Sequence, residues 1–210
     1  MAKWKFHLGP NGGAYDANSL IVNNGKRFDG IAYMAGYRSS MYSEVIDGLL
    51  QKTLYSCLLP TTEIEVIEED EKGRKKRRKK KIKDIKEGDK VLSINPETGK
   101  LEEDVVIYAD GDENKKYNKF EIWTFNDGTE VKTVHKHRFY NIERQDFVYI
   151  QEWNIGEHGY KENGEIIELI RHKVVNEEVQ HCTIFTEKWN NYFANGVLTG
   201  NRNSIKMKIL

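Results

Sequence analysis

The chain has 210 residues, 38% of them hydrophobic, and its 33 Lys and Arg balance 33 Asp and Glu. That length and apolar share suffice for one domain with a real core and an appended piece, while zero net charge removes any general electrostatic argument for nucleic acid or an anionic membrane surface. No stretch approaches the roughly 20 apolar residues of a membrane span, and the opening MAKWKFHLGPNGG lacks the apolar centre of a secretory signal, so a soluble, cytoplasmic chain is expected.

Residues 1 to 38 are rich in Gly and Asn, with short apolar runs at Ser19–Val22 and Gly30–Met34, and read as irregular or weakly β. From Ser40 to Leu54 the spacing becomes helical: Met41, Val45 and Leu49 form an i, i+4, i+8 row beside Ile46, Leu50 and Leu54, with Ser39 or Ser40 as N-cap. This helix, over about 40–54, ends directly before Cys57. Beyond it the pattern turns β. Glu63–Ile67, Val91–Ile94 and Val105–Tyr108 have strand composition, and Asn95-Pro96-Glu97-Thr98-Gly99 is a turn between the last two. Phe120–Phe125 and Glu130–Val134 flank the hairpin signal Asn126-Asp127-Gly128, and the apolar run Tyr192–Leu198 reads as one buried strand. Many short strands with Gly-bearing turns and no alternating helices predict an all-β architecture.

Glu68–Glu71 followed by Lys72-Gly73-Arg74-Lys75-Lys76-Arg77-Arg78-Lys79-Lys80-Lys81 is the strongest charge pattern. Like-charge blocks are usually solvated, so an acidic-then-basic loop joining two strands is expected. The basic run 72–83 has no interleaved aromatics on which bases could stack, which argues against nucleic acid.

Two cysteines, Cys57 and Cys182, form no C-x-x-C pair, so neither a zinc ribbon nor a thioredoxin-like site is indicated. Each is either core filler or a nucleophile. Cys57 opens the stretch Cys57-Leu58-Leu59-Pro60-Thr61-Thr62-Glu63-Ile64, which resembles the first block of inteins and related Hint (hedgehog/intein) domains. Further blocks follow in order. Ile82-Lys83-Asp84-Ile85-Lys86-Glu87-Gly88-Asp89-Lys90-Val91-Leu92 is similar to the family's I-x-D-L-x-x-G-D-x-V-x segment, and Gln151–Glu157 to its later echo. Asp127–Phe139 resembles the histidine-bearing block, and Val179–Phe185 with Asn191–Asn201 the final two.

The resemblance implies a Hint-type horseshoe of short strands with its first and last strands adjacent. It covers residues 57–201, with 1–56 and 202–210 as N- and C-terminal flanking (extein) segments. It also implies roles. Cys57 would attack the carbonyl of Ser56 and convert the amide to a thioester, and the Asn201 side chain would cyclise and break the bond to Arg202. Protonating the departing Cys57 nitrogen needs an acid poised near neutrality, a natural task for histidine. Aligning H-x-F gives His137 that position with Val134 three residues before it; aligning Thr133 with the family's threonine gives the position to Lys136 instead. His135 and His137 would share one face of a strand; His137 is taken and His135 retained as the alternative. His181 falls where the family places a polar group that assists the asparagine step, and Cys182 points to the core.

Three departures stand out: the penultimate residue is Gly200 rather than histidine, Asn190 occupies the late-block histidine position, and Arg202 carries no nucleophile. Cleavage without ligation is therefore expected, the alternative being splicing with Asn203 as terminal residue and Ser204 as acceptor. A reading of another class is a zinc- or nucleic-acid-binding β module using Cys57, His135, His137 and His181. Tyr140–Glu178 is too short to house an endonuclease. No cofactor or metal is implied, and the chain is expected to act as a monomer on its own flanking segments.

Overall fold

The computed structural model describes residues 22–23, 26–27, 57–110, 116–134, 136–201, 204 and 207. The chain divides into two units, Met1–Thr53 and Leu54–Leu210. In the first, β1 (Val22–Asn23) pairs antiparallel with β2 (Lys26–Arg27); the helix expected over 40–54 lies outside the described residues.

The second unit is all-β, as its β-branched and aromatic content predicts. Its strands are β3 (Cys57–Leu58), β4 (Glu63–Glu69), β5 (Lys75–Lys81), β6 (Lys90–Ile94), β7 (Leu101–Asp110), β8 (Lys116–Tyr117), β9 (Phe120–Phe125), β10 (Glu130–Val134), β11 (Arg138–Asn141), β12 (Asp146–Tyr149), β13 (His158–Tyr160), β14 (Ile166–Val175), β15 (Val179–Gln180), β16 (Thr183–Thr186), β17 (Asn191–Ala194) and β18 (Val197–Gly200). One sheet runs β13, β14, β9, β10, β3. A larger one runs β12, β11, β18, β17, β4, β6, β7, β16 with β5 added on β4, and β15 pairs with β8. Trp123 and Phe125 of β9 and Leu169 of β14 share one core with Phe139, Tyr192 and Val197 of the larger sheet. Fully burying side chains of this size contributes about 1.5–3 kcal/mol each.

Three expectations change. The run 192–198 is two strands: Asn195 (φ 49°) and Gly196 (φ 81°) both adopt the positive φ of a two-residue hairpin turn, so β17 folds back on β18 with Ala194 opposite Val197. The basic run is also not a loop. Lys75–Lys81 is a full edge strand, and β4 supplies the opposing charge: Glu65 lies opposite Lys79 and Glu68 opposite Lys76. Arg78 pairs with Glu68 at 3.1 Å and Lys80 with Asp89 at 2.7 Å. Surface pairs contribute at most about 1 kcal/mol each, but together they let a strand of like charges form, and its lysines discourage edge-to-edge association. Finally, Lys136 and His137 are not on a strand; they lie in the break between β10 and β11, and His135 is outside the described residues.

A turn is used twice. Ile82–Asp84 and Ile150–Glu152 are single 3-10 turns, and each is followed by a left-handed glycine, Gly88 (φ 91°) or Gly156 (φ 95°). The carboxylates of Asp89 and Glu157 then accept the backbone N–H of Lys86 and Asn154 at 2.9 and 3.0 Å. The second of these turns delivers Gln151 to the site described below.

β4 pairs with β17 only at Ala194–Ile64, and the Asn191 side chain ties the other end of β17 to β6. Its Oδ1 accepts from Ile94 N at 2.8 Å and its Nδ2 donates to Ile94 O at 2.9 Å, both buried. Asn191→Ala strands two buried backbone groups and is expected to cost about 3 kcal/mol, read as a lower urea midpoint at unchanged m-value; a loss below about 1 kcal/mol would show that the amide carries no such load.

Candidate functional site

Cys57 begins β3, where Val134 is its cross-strand partner on β10 and Thr133 faces Leu58. On the other side of β3, Leu58 exchanges both backbone hydrogen bonds with Cys182 at 2.9 Å. Two residues after Cys182, the carbonyl of Ile184 accepts Asn201 Nδ2 at 2.6 Å. The segment 182–184, no more than about 7 Å long, therefore contacts the strand that starts the resembling region and the residue that ends it. The link between β10 and β11 does the same from another direction: Val134 pairs with Cys57, Arg138 pairs with Gly200, and His137 lies between them. β3 and β18 belong to different sheets, and it is these shared neighbours that bring the two ends together.

Cys57 is 1% exposed, and His137, Thr133 and Asn201 are fully buried. Their burial suits a reaction on the chain's own backbone. Neither cysteine is in a disulfide; Cys182 is in the main core and Cys57 packs with Leu59, Phe120 and Val134. Beside this group opens a cleft of about 510 Å³ lined by Tyr117, Phe120, Thr133, Lys136, Tyr149 and Gln151. His181, half-buried, adjoins the clamp residue Cys182.

The environment of His137 fixes its proton. Thr199 Oγ1 donates to Arg138 O at 2.7 Å, using its single hydrogen, so its 2.7 Å contact with His137 Nε2 can only be N–H donating to oxygen. In the neutral imidazole this leaves the lone pair on Nδ1. The His137 carbonyl accepts Ile150 N at 2.9 Å, and its N–H reaches Gln151 Oε1 at 3.4 Å. Gln151 Nε2 in turn donates to Thr133 Oγ1 at 3.3 Å, which also accepts Trp123 Nε1 at 3.1 Å. Thr133 thus sits in a hydrogen-bonded chain that ends at the His137 backbone. Tyr192, cross-strand from Thr199, is fully buried, and burial, with a smaller contribution from nearby Cys57, pushes its phenol far above the usual range.

At the C-terminal end Asn201 N donates to Asn190 O at 3.0 Å, while Asn201 Oδ1 is buried with no hydrogen-bond partner among the described residues. Ser204 folds back over this point: its N–H donates to Asn201 O at 3.0 Å and its Oγ lies 2.6 Å from Asn190 O and 2.8 Å from Asn201 O. Among the described residues no three His, Cys, Asp or Glu are grouped as metal ligands, and no helix there is long and apolar enough to cross a membrane. Thr199, Gln151 and Tyr192 were not singled out by the sequence. Each is an ordinary residue in an apolar segment, and only tertiary pairing gives it meaning.

The architecture is that of the inteins. A bacterial intein-like domain from Clostridium thermocellum matches with TM-score 0.56 at 23% identity, covering 70% of this chain and 99% of that one. The DnaB intein from Synechocystis sp. PCC 6803 matches with TM-score 0.55 at 17% identity, covering 69% and 97%; the gp41-1 intein matches with TM-score 0.52 at 22% identity, covering 69% and 98%. The pretoxin HINT domain model matches residues 75–206, more than half of the chain, and the chain belongs to that family. No curated protein matches.

Nitrogen-15 NMR of the full chain at neutral pH checks the imidazole assignment: neutral His137 is expected with Nε2 protonated and Nδ1 unprotonated. Thr199→Val removes the acceptor and is expected to give a mixed or inverted tautomer, whereas Thr199→Ser preserves the parent spectrum. A parent ring protonated only on Nδ1 would overturn the assignment.

Proposed function

We propose that residues 57–201 form a self-processing domain that acts on its own flanking segments, 1–56 and 202–210. The observation that carries this reading is the double clamp: the strand that opens with Cys57 and the strand that leads into Asn201 are tied to the same two short segments, although they start and end the region. That arrangement has an evident use in chemistry at two peptide bonds and little in recognising an outside ligand.

In the first step Cys57 Sγ bonds to the Ser56 carbonyl carbon and the amide bond to Cys57 N breaks, leaving a thioester that is easier to cleave. The thiolate rather than the thiol is the nucleophile, so the step needs a base within reach of the sulfur. His137 supplies the base and then the acid: its unprotonated Nδ1 takes the thiol proton and returns it to the departing Cys57 nitrogen. Thr199 holds the ring in the tautomer this needs, and Thr133 with Gln151 steadies the backbone around it. His135 is the alternative to His137.

In the second step Asn201 Nδ2 closes on its own carbonyl carbon and releases the amine of Arg202. His181 is the polar group assigned to assist it. Because Arg202 cannot capture the thioester, cleavage at both ends is favoured over ligation; with Asn203 as terminus, Ser204 would be the acceptor and splicing would follow.

Intact mass of the purified full chain, with and without dithiothreitol, tests this. The thiol is expected to release residues 1–56, and residues 202–210 are expected to leave as a separate piece. Cys57→Ala abolishes the first and keeps the second; Asn201→Ala does the reverse. If both variants process like the parent, the mechanism is wrong, and an unchanged mass in every tube would favour the binding-module reading.

A further inference from the structure

The second step of the proposed function requires charge to be stabilised on one atom, the carbonyl oxygen of Asn201. As Nδ2 bonds to the carbonyl carbon that oxygen becomes an oxyanion. It collapses as the C–N bond to Arg202 breaks, one Nδ2 proton passing to the Arg202 nitrogen and a succinimide remaining on Asn201. Donors aimed at such an oxygen are worth most when they are already in place. From the contacts at this oxygen we infer that Ser204, a residue of the C-terminal flanking segment, is a catalytic residue of that step and forms its oxyanion hole.

Two Ser204 donors converge on Asn201 O, the backbone N–H at 3.0 Å and the hydroxyl at 2.8 Å. The hydroxyl has one hydrogen and two acceptors, the other being Asn190 O at 2.6 Å. In the resting chain the hydrogen is shared with, or held by, the nearer Asn190. As negative charge grows on Asn201 O the hydrogen swings to it, so the interaction is stronger in the transition state than before it, the condition for a contact to accelerate a reaction. Asn201 is meanwhile positioned from three sides: Asn190 O holds its N–H, Ile184 O holds Nδ2, and Ser204 holds its carbonyl.

Gly200 is part of the same device. A Cβ on residue 200 would overlap Ser204 Oγ and Cβ and stand 2.8 Å from Phe147 Cδ1. Any side chain there, histidine included, would occupy the space of the serine hydroxyl. Glycine before the asparagine and serine three residues after it are therefore one solution. Met207 fixes the segment further: it is 3% exposed among Phe147, Phe193 and Leu198, and its carbonyl accepts the Tyr140 hydroxyl at 2.9 Å.

The inference rests on the asparagine cyclisation proposed above, and the test separates the two. Release of residues 202–210 and thiol-induced loss of residues 1–56 are followed by intact mass in the same tubes for the parent, Ser204→Ala, Gly200→Ala and Asn201→Ala full chains. Ser204→Ala and Gly200→Ala are each expected to slow C-terminal release about 100-fold, the cost of one oxyanion donor, while the N-terminal reaction, which reports on folding, proceeds. Release from Ser204→Ala at the parent rate, with Asn201→Ala blocked, overturns the role of Ser204 and leaves cyclisation standing. Release from Asn201→Ala at the parent rate overturns cyclisation itself. A parent product in which Ser56 is joined to Ser204 makes the hydroxyl an acyl acceptor and overturns the inference.

Discussion

Everything at the ends of this domain depends on a handful of backbone hydrogen bonds around residues 182–184 and 134–138. β3 is only two residues long, too short to hold itself, yet Cys57 must stay where Asn201 can share its surroundings. Leu58 is therefore bonded on both sides, to β10 and to Cys182. Joining residue 57 to residue 201 costs roughly 4 kcal/mol of loop-closure entropy plus a constant, and neither Cys57 nor Cys182 is in a disulfide that could bear it. The core bears it, by packing Leu58, Cys182, Ile184 and Tyr192 into one cluster with the side chains of β9 and β14.

Burial has a chemical consequence as well as a structural one. With thiol, imidazole and amide removed from water, each proton has a short list of places to go. Thr199 shows how strictly this operates: one hydroxyl hydrogen, committed to Arg138 O, decides which nitrogen of neutral His137 carries the proton. The threonine belongs to β18 and the histidine to the break before β11, so the site's proton inventory is written across elements that are distant in sequence.

That distance explains what the sequence disclosed and what it withheld. Phe120–Phe125 and Glu130–Val134 were legible to the residue because alternation and Asn126-Asp127-Gly128 are local signals. Tyr192–Leu198 was misread because a continuous apolar run masked Asn195-Gly196, a turn signal that was present and outweighed. The basic strand was illegible for another reason: seven cations in a row look solvated until their anions, held by β4 and its neighbours, are known. Cys57, His137 and Asn201 stood out only as a spaced set. Thr199 and Gln151 had no local signature to offer, and Ser204 was legible only as an alternative acyl acceptor after Asn203.

The departures from the family pattern also cease to be independent. Gly200 looks like a loss when read alone, since it removes a side chain from the position before Asn201. With Ser204 in the vacated space, the donor for the Asn201 carbonyl comes from the flanking segment instead of the domain. On the proposed cyclisation the flanking segment would be both substrate and part of the machinery, and a domain that had released it would have lost its donor. Met207 carries the point further. On that reaction, Met207 packed against Phe147 and Leu198 would keep the released peptide held to the domain after scission, and an amine so held would be able to add back to the succinimide. Departure of the peptide, rather than scission of the bond, would then make the reaction final.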